Sequence, residues 1–158
     1  MTSARRRLHV TFVCTGNICR SPMAEVVFAE RLRSEGLDGR VRVSSAGTGA
    51  WHVGDPADPR TTKTLRKAGY RCDHVAAQVG PEHLDADLLV ALDTGHVAAL
   101  RRMVDDPTRI RLLRSFDPSA DGDPDVPDPY FRGQGFDEVL DMVNAAMPGL
   151  LEWVRERL

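Results

Sequence analysis

Short apolar runs alternate along this chain with longer segments in which apolar residues recur at helical spacing. The first run, Leu8–Val13, is rich in β-branched residues and ends at a glycine-containing turn, which is typical of a strand buried on both faces. The next segment predicts a helix with Ser21 as its capping residue, Pro22 at its first position and Gly36 at its end. The apolar positions of this helix are Ala24, Val27, Phe28 and Leu32.

The same alternation continues along the rest of the sequence. It predicts strands at residues 41–45, 87–93 and 109–113, and helices at residues 59–68, 95–104 and 136–158, the last with a kink at Pro148. Strands that alternate with helices favour a mostly parallel sheet covered on both faces. We therefore expect an α/β fold with one doubly wound domain over residues 1–158, a four-stranded parallel sheet flanked by helices, and a flexible N-terminus at residues 1–7.

An acidic and proline-rich stretch lies between Leu113 and Phe136. Its aspartates and prolines are too frequent for a helix or a central strand. A loop of this length in a compact domain is typically functional or mobile, and the alternative is a solvated acidic linker. The breakers are Asp117, Pro118, Asp121, Asp123, Pro124, Asp125, Pro127, Asp128 and Pro129.

Composition narrows the class of protein. The chain has 158 residues, of which 42% are hydrophobic and 28% charged, as in an ordinary globular domain. A net charge of −2 argues against a nucleic-acid partner, and Leu8–Val13 is too short for a signal peptide or a membrane span. Three cysteines do not make a disulfide framework, so we expect a reducing, cytoplasmic compartment, with export without a signal peptide left open. We expect a monomer with no membrane partner.

The turn after the first predicted strand carries the candidate chemistry. Residues 14–21 read Cys-Thr-Gly-Asn-Ile-Cys-Arg-Ser, between a buried strand and a helix. In a parallel sheet this is where backbone N–H groups and the positive end of a helix bind an anion. Such surroundings favour the thiolate of Cys14, and Arg20 can bind two oxygens of a phosphate group. The arrangement therefore suits transfer of a phosphoryl group to sulfur.

Four segments of the sequence are similar to one known family. Val13–Glu25, which reads VCTGNICRSPMAE, resembles the signature of the low-molecular-weight protein tyrosine phosphatases, and Pro127–Tyr130 resembles their late acid motif. Ser44–Trp51 resembles the family's second-strand serine and tryptophan loop, and His74 stands where the family has its histidine. The resemblance covers essentially the whole chain and is closest to actinobacterial members.

The resemblance implies hydrolysis of phosphotyrosine through a phosphocysteine intermediate. Cys14 would attack phosphorus, Arg20 would stabilise the transition state, and Asp128 would serve as general acid and then as general base. The implied phosphate-binding loop is Thr15, Gly16, Asn17, Ile18, Cys19 and Ser21; the implied supporting network includes Ser45 and His74; and the implied substrate cleft includes Trp51, His52, Tyr130 and Phe131. Phosphotyrosine-containing proteins would be the partners and inorganic phosphate the product, with no metal and no cofactor.

The three cysteines are expected to differ in kind. The resemblance implies that oxidation pairs Cys19 with Cys14, which would protect the nucleophile from irreversible oxidation. Cys72 has no implied role.

Two other functions remain open at the level of sequence. Arsenate reductases of the same fold use this loop but need two further cysteines, and outside the loop the sequence has only Cys72. A non-catalytic phosphotyrosine-binding module would keep Arg20 and the loop amides, but it would need neither Cys14 nor a distant acid. The presence of nucleophile, arginine and acid together favours the phosphatase.

Overall fold

Four parallel strands form the sheet. The computed structural model describes residues 7–120 and 122–158. The flexible N-terminus expected at residues 1–7 therefore falls, except for Arg7, outside the described residues, as does Asp121 of the acidic stretch. The strands are β1 (Leu8–Cys14), β2 (Val41–Gly47), β3 (Leu88–Ala91) and β4 (Ile110–Leu112). They lie in the order β2-β1-β3-β4, so β1 pairs with β2 along its whole length and with β3 on its other side. The predicted fold class is confirmed.

Helices cover both faces of this sheet. Within the described residues they are α1 (Arg20–Ser34), α2 (Pro59–Lys67), α3 (Pro81–Leu84), α4 (Thr94–Arg101), α5 (Pro129–Arg132) and α6 (Phe136–Arg155), with short 3-10 turns at Pro107–Arg109 and Leu113–Phe116. No helix in the described part of the chain is both long and apolar enough to cross a membrane.

The side chains of β1 alternate between two apolar layers. Val10 and Phe12 belong to the larger layer, beneath α1 and α6, where the Phe12 ring packs edge-to-face against Phe28 with centroids 5.8 Å apart. Val13 points the other way and packs with Leu89 and Leu100, beneath α4. Burial on both faces explains why β1 is an almost continuous apolar run, and it places Cys14 at the carboxyl end of a rigid central strand.

Several details differ from the sequence-based expectation. α1 begins at Arg20 rather than after Ser21, because the Ser21 hydroxyl is bonded to Cys14 and Asn17 and does not cap the helix. β2 extends two residues further than predicted, to Gly47, since it follows β1 to its end. α4 and α6 end at residues 101 and 155, each three residues earlier than predicted. Pro148 lies inside α6, and the kink there stays a prediction.

The acidic stretch is not a structureless loop throughout. The chain forms a 3-10 turn at Leu113–Phe116 and the single-turn helix α5 near its other end. Neither this helix nor α3 was predicted, because each begins at a proline and has four residues, which is too short to show a helical period.

Candidate active site

Cys14 ends β1 and lines a cleft with a volume of about 380 Å³. After it the chain turns through residues 15–19 and enters α1. The N–H groups of Thr48 and Gly49 donate to the carbonyl oxygens of Cys14 and Thr15, at 2.9 and 3.0 Å. The N–H of Asp58 donates to the carbonyl oxygen of Ile18 at 2.9 Å. The turn is thereby fixed on two sides at the N-terminus of a helix, where an anion is favoured.

Asn17 holds this turn in an uncommon conformation. Its φ of 58° lies in the left-handed region that few residues other than glycine adopt. Its side-chain Oδ1 accepts a hydrogen bond from the backbone N–H of Ala77 at 2.9 Å. Because a backbone N–H can only donate, this bond fixes the orientation of the amide. Nδ2 then donates to Ser21 Oγ at 2.8 Å and to Ser45 Oγ at 2.9 Å.

The two serine hydroxyls that accept from Asn17 also contact Cys14 and Glu25. Ser21 Oγ accepts from Asn17 and lies 2.9 Å from Cys14 Sγ. A thiolate can only accept, so Ser21 is the donor in this contact when Cys14 is ionised. A donor at this distance stabilises the thiolate form of the cysteine. Ser45 Oγ likewise accepts from Asn17 and donates to a carboxylate oxygen of Glu25 on α1.

His74 binds the backbone of the same turn. Its Nε2 donates to the carbonyl oxygen of Asn17 at 2.6 Å, and its Nδ1 lies 3.9 Å from Glu25 Oε1. Asn17 is therefore held by its side chain and by its backbone. The carboxylate of Glu25 lies next to both Ser45 and His74.

Arg20 is buried, and its two terminal nitrogens face different groups. Nη1 donates to Asp93 Oδ2 at 2.8 Å and to the carbonyl oxygen of Val126 at 2.9 Å, whereas Nη2 lies 3.6 Å from Asp128 Oδ2. Burial acts to raise the pKa of the Asp93 carboxyl, but the hydrogen bond from Arg20 and the neighbouring His96 outweigh it and hold that pKa below its ordinary value. Asp93 is thus ionised at neutral pH and anchors one half of the guanidinium.

Asp128 caps the single turn α5 and lines the cleft. Its Oδ1 accepts from the N–H of Tyr130 at 3.0 Å, which leaves Oδ2 directed towards Arg20. Arg60 on α2 lies over the rings of Tyr130 and Phe136, with its guanidinium carbon 5.3 and 4.8 Å from the two centroids. The segment that carries Asp128 is therefore in contact with α2.

Aromatic side chains form the walls of the cleft. Trp51 is 75% exposed and lies so close over Gly49 that a Cβ at position 49 would collide with the indole ring. Tyr130 packs edge-to-face against His52 and Phe131, with ring centroids 6.0 and 4.9 Å away. Aromatic walls above an anion-binding turn suit a ligand that joins a phosphate to an aromatic group. The lining residues are Cys14, Thr15, Gly16, Ile18, Cys19, Arg20, Trp51, His52, Asp128, Tyr130 and Phe131.

Comparison with known protein families agrees with this geometry. The family described as low molecular weight phosphotyrosine protein phosphatase matches residues 9–158. The chain belongs to this family.

Bacterial phosphatases and solved structures are similar to this chain. Low molecular weight protein-tyrosine phosphatase A of Mycobacterium tuberculosis is 59% identical over 153 residues, covering 96% of this chain and 94% of the relative. A low molecular weight protein-tyrosine-phosphatase of Streptomyces coelicolor is 55% identical over 155 residues, covering 94% of each chain. The crystal structure of YfkJ from Bacillus subtilis has a TM-score of 0.91 at 36% identity, over 98% of this chain and 99% of that one. The expected likeness to actinobacterial members is confirmed.

The phosphatase fold brings the site residues expected from the sequence into one region. Cys14, Arg20 and Asp128 share the cleft with the four expected wall residues. Asn17 and Ser21 are buried and, through Asn17, connect to Ser45 and His74. The roles of these residues in a reaction stay predictions. The other expected loop residues, Thr15, Gly16, Ile18 and Cys19, line the cleft.

Sequence reasoning missed four groups that hold the phosphatase site together. Glu25 follows Ser21 by four positions on α1, a spacing that puts both on one helix face. Asp93 and His96 follow β3, and the carboxyl ends of neighbouring parallel strands meet at one edge, so the strand order would have indicated them. Ala77 contributes its backbone N–H, for which the sequence holds no signal.

The three thiols of the phosphatase have different environments. Cys14, Cys19 and Cys72 are all free. Burial raises the pKa of Cys19 to about 12 and also raises that of Cys72, so both are protonated at neutral pH. Cys14 is the thiol that Ser21 contacts. The oxidative pairing of Cys19 with Cys14 stays a prediction.

Gly47 allows β2 to pass close to the backbone of the turn at residues 15–17. A Cβ at this position would lie 2.6 Å from the carbonyl oxygen of Thr15 and 3.1 Å from the carbonyl carbon of Gly16. These are backbone atoms, so Gly47→Ala should destabilise the protein by about 1–3 kcal/mol in chemical unfolding and weaken phosphate binding. Gly39→Ala, where a Cβ meets nothing within 4 Å, is the matched control. Equal free energies of unfolding for the two variants would contradict the steric account.

Proposed function

We propose that this chain hydrolyses phosphotyrosine in proteins through a phosphocysteine intermediate. The hydrogen-bonded path from Asn17 through Ser21 to Cys14 Sγ is the observation that carries the proposal, because it directs a donor at the sulfur of a cleft residue.

In the first step, the Cys14 thiolate attacks phosphorus. The S–P bond forms as the bond from phosphorus to the phenolic oxygen breaks, and protonated Asp128 gives its proton to that oxygen. Arg20 binds phosphoryl oxygens through Nη2 while Nη1 stays bonded to Asp93. Loop N–H groups and the N-terminus of α1 stabilise the charge that builds on those oxygens. The tyrosine side chain leaves in its neutral form.

In the second step, water hydrolyses the intermediate. Asp128, now ionised, accepts a proton from the water as its oxygen attacks phosphorus, and the S–P bond breaks. The products are inorganic phosphate and the Cys14 thiolate, with Asp128 protonated again. Ser21 supports the departing sulfur through the same hydrogen bond that stabilised it before the reaction.

Neither alternative function has comparable support. An arsenate reductase needs a pair of thiols that carries electrons away, and Cys72, outside the loop, has a raised pKa that keeps it protonated. A binding module would not need Asp128 in the cleft beside Arg20. The finer proposals that accompany the phosphatase activity are a single catalytic domain, a monomeric state, a cytoplasmic location and phosphotyrosine-containing protein substrates.

Two peptides that differ in one residue test the substrate class. A phosphotyrosine peptide should be hydrolysed with a kcat/KM at least about 10²-fold higher than its phosphoserine counterpart, because the longer aromatic group reaches Cys14 while it contacts Trp51 and Tyr130. The release of inorganic phosphate measures both reactions. Equal rates would contradict tyrosine specificity, and failure to release phosphate from either peptide would contradict the phosphatase activity.

A further inference from the structure

His96 is a buried histidine that the mechanism above does not use. It lies in the first turn of α4 with 4% of its surface exposed. Its Nε2 is 2.9 Å from Oγ1 of Thr15, the residue that follows the nucleophile. The partners of both ring nitrogens determine which of the two residues donates in this contact.

The capping interaction of α4 fixes the protonation of the His96 ring. The backbone N–H of Asp93 donates to His96 Nδ1 at 3.2 Å, so Nδ1 carries a lone pair and no proton. Asp93 Oδ1 also lies 3.1 Å from Nδ1, but this oxygen accepts its hydrogen bond from the backbone N–H of His96. Burial lowers the pKa of His96 to about 4, so the ring is neutral at neutral pH. The single ring proton is therefore on Nε2, which donates to Thr15 Oγ1.

This assignment also fixes the direction of the Thr15 hydroxyl. Since Oγ1 accepts from His96, its own hydrogen points elsewhere, and no second partner for it is found among residues 7–120 and 122–158. Thr15 is half-buried and lines the cleft beside Cys14. The hydrogen is thus available to a group bound above the loop.

We propose that the Thr15 hydroxyl is a further hydrogen-bond donor to the bound phosphoryl group, and that His96 is the positioning residue that orients it. Asp93 belongs to the same unit, because it caps α4 through its carboxylate and anchors Arg20. The start of α4 thereby orients two donors, one at each end of the loop. The inference rests on the proposed function in taking a phosphoryl group as the ligand.

Direct binding of inorganic phosphate, measured by calorimetry, tests the donor. Thr15→Val keeps the shape of the side chain but removes the hydroxyl, and it should weaken phosphate binding about three- to tenfold. Thr15→Ser keeps the hydroxyl and should bind within about twofold of the wild type. Unchanged phosphate affinity in Thr15→Val would overturn the proposal.

Two substitutions of His96 separate positioning from capping. His96→Asn places an acceptor near Nδ1 for the N–H of Asp93 but does not reach Thr15, so it should weaken phosphate binding as much as Thr15→Val does. His96→Gln places a donor near Nε2 and should retain more affinity than His96→Asn. The reverse order would mean that His96 acts only as a cap and would overturn its positioning role.

The double variant Thr15→Val/His96→Asn distinguishes a positioning role of His96 from a purely structural one. It should bind phosphate no more weakly than Thr15→Val alone, since both changes remove the same donor. Additive losses would contradict the relay. None of these measurements requires turnover, so loss of the phosphotyrosine activity in the peptide test and loss of this donor are distinguishable results.

Discussion

Cys14→Ser is expected to lower kcat for p-nitrophenyl phosphate by at least about 10⁴-fold while inorganic phosphate still binds. The expected loss is large because a serine hydroxyl remains protonated at neutral pH, and the donor at Ser21 cannot compensate for its low acidity. Phosphate binding should persist because Arg20, the loop N–H groups and the N-terminus of α1 remain in place. Steady-state kinetics and calorimetry of phosphate binding measure the two properties separately.

Cys72→Ser is the matched control for this prediction. Cys72 is half-buried and does not line the cleft, so its replacement should leave kcat within about twofold of the wild type. Turnover above about one per cent in Cys14→Ser would contradict the covalent mechanism. Loss of both turnover and phosphate binding would indicate that the substitution disrupts the loop, and trapping of phosphocysteine in the wild type by acid quench would then decide the mechanism.

Asp128→Asn is expected to lower kcat/KM more for substrates whose leaving phenol has a higher pKa. An amide at this position cannot protonate a departing phenolate, so phenyl phosphate should lose about 10²- to 10⁴-fold in kcat/KM. Phosphates of strongly acidic phenols depart without protonation and should lose much less. A plot of log kcat/KM against the pKa of the leaving phenol should therefore be steeper for the variant than for the wild type.

Asp123→Asn is the control within the same loop. Asp123 accepts from the N–H of Asp125 and is 68% exposed, outside the cleft lining, so its slope should match that of the wild type. An equal loss for every leaving group in Asp128→Asn would contradict the role of Asp128 as acid. The contact between Asp128 and Arg20 would then be read as a structural ion pair.

The nucleophile and its arginine could be predicted from the sequence on physical grounds. Cys14 and Arg20 flank a turn between an apolar strand and a helix, and both ends of that turn have clear local signals. Asp128 could not be predicted in this way, because Asp-Pro pairs recur through the chain as caps and turns. Its selection depended on the family resemblance.

The supports of the loop were harder to predict, because they depend on the order of strands and on competition for hydroxyl groups. Asp93 reaches Arg20 because β3 lies beside β1, and a chain pattern alone does not give that neighbour relation. Ser21 has the sequence signal of a helix cap, yet its hydroxyl is bonded to Cys14 and Asn17. The local signal correctly indicated the start of a helix but placed it two residues late, at Pro22 instead of Arg20, because the Ser21 hydroxyl bonds to Cys14 and Asn17 and does not cap the helix.

The division of Arg20 between Asp93 and the cleft has a consequence for the release of product. Inorganic phosphate carries the same charge-bearing oxygens as the substrate, so an arginine that opposed it with its full charge would hold the product tightly and limit turnover. Asp93 already neutralises part of the guanidinium charge of Arg20. Arg20 can therefore orient the phosphoryl oxygens while it attracts the phosphate product less strongly than an unpaired arginine would. We therefore expect the site to discriminate by fit at the transition state while it still allows phosphate to leave.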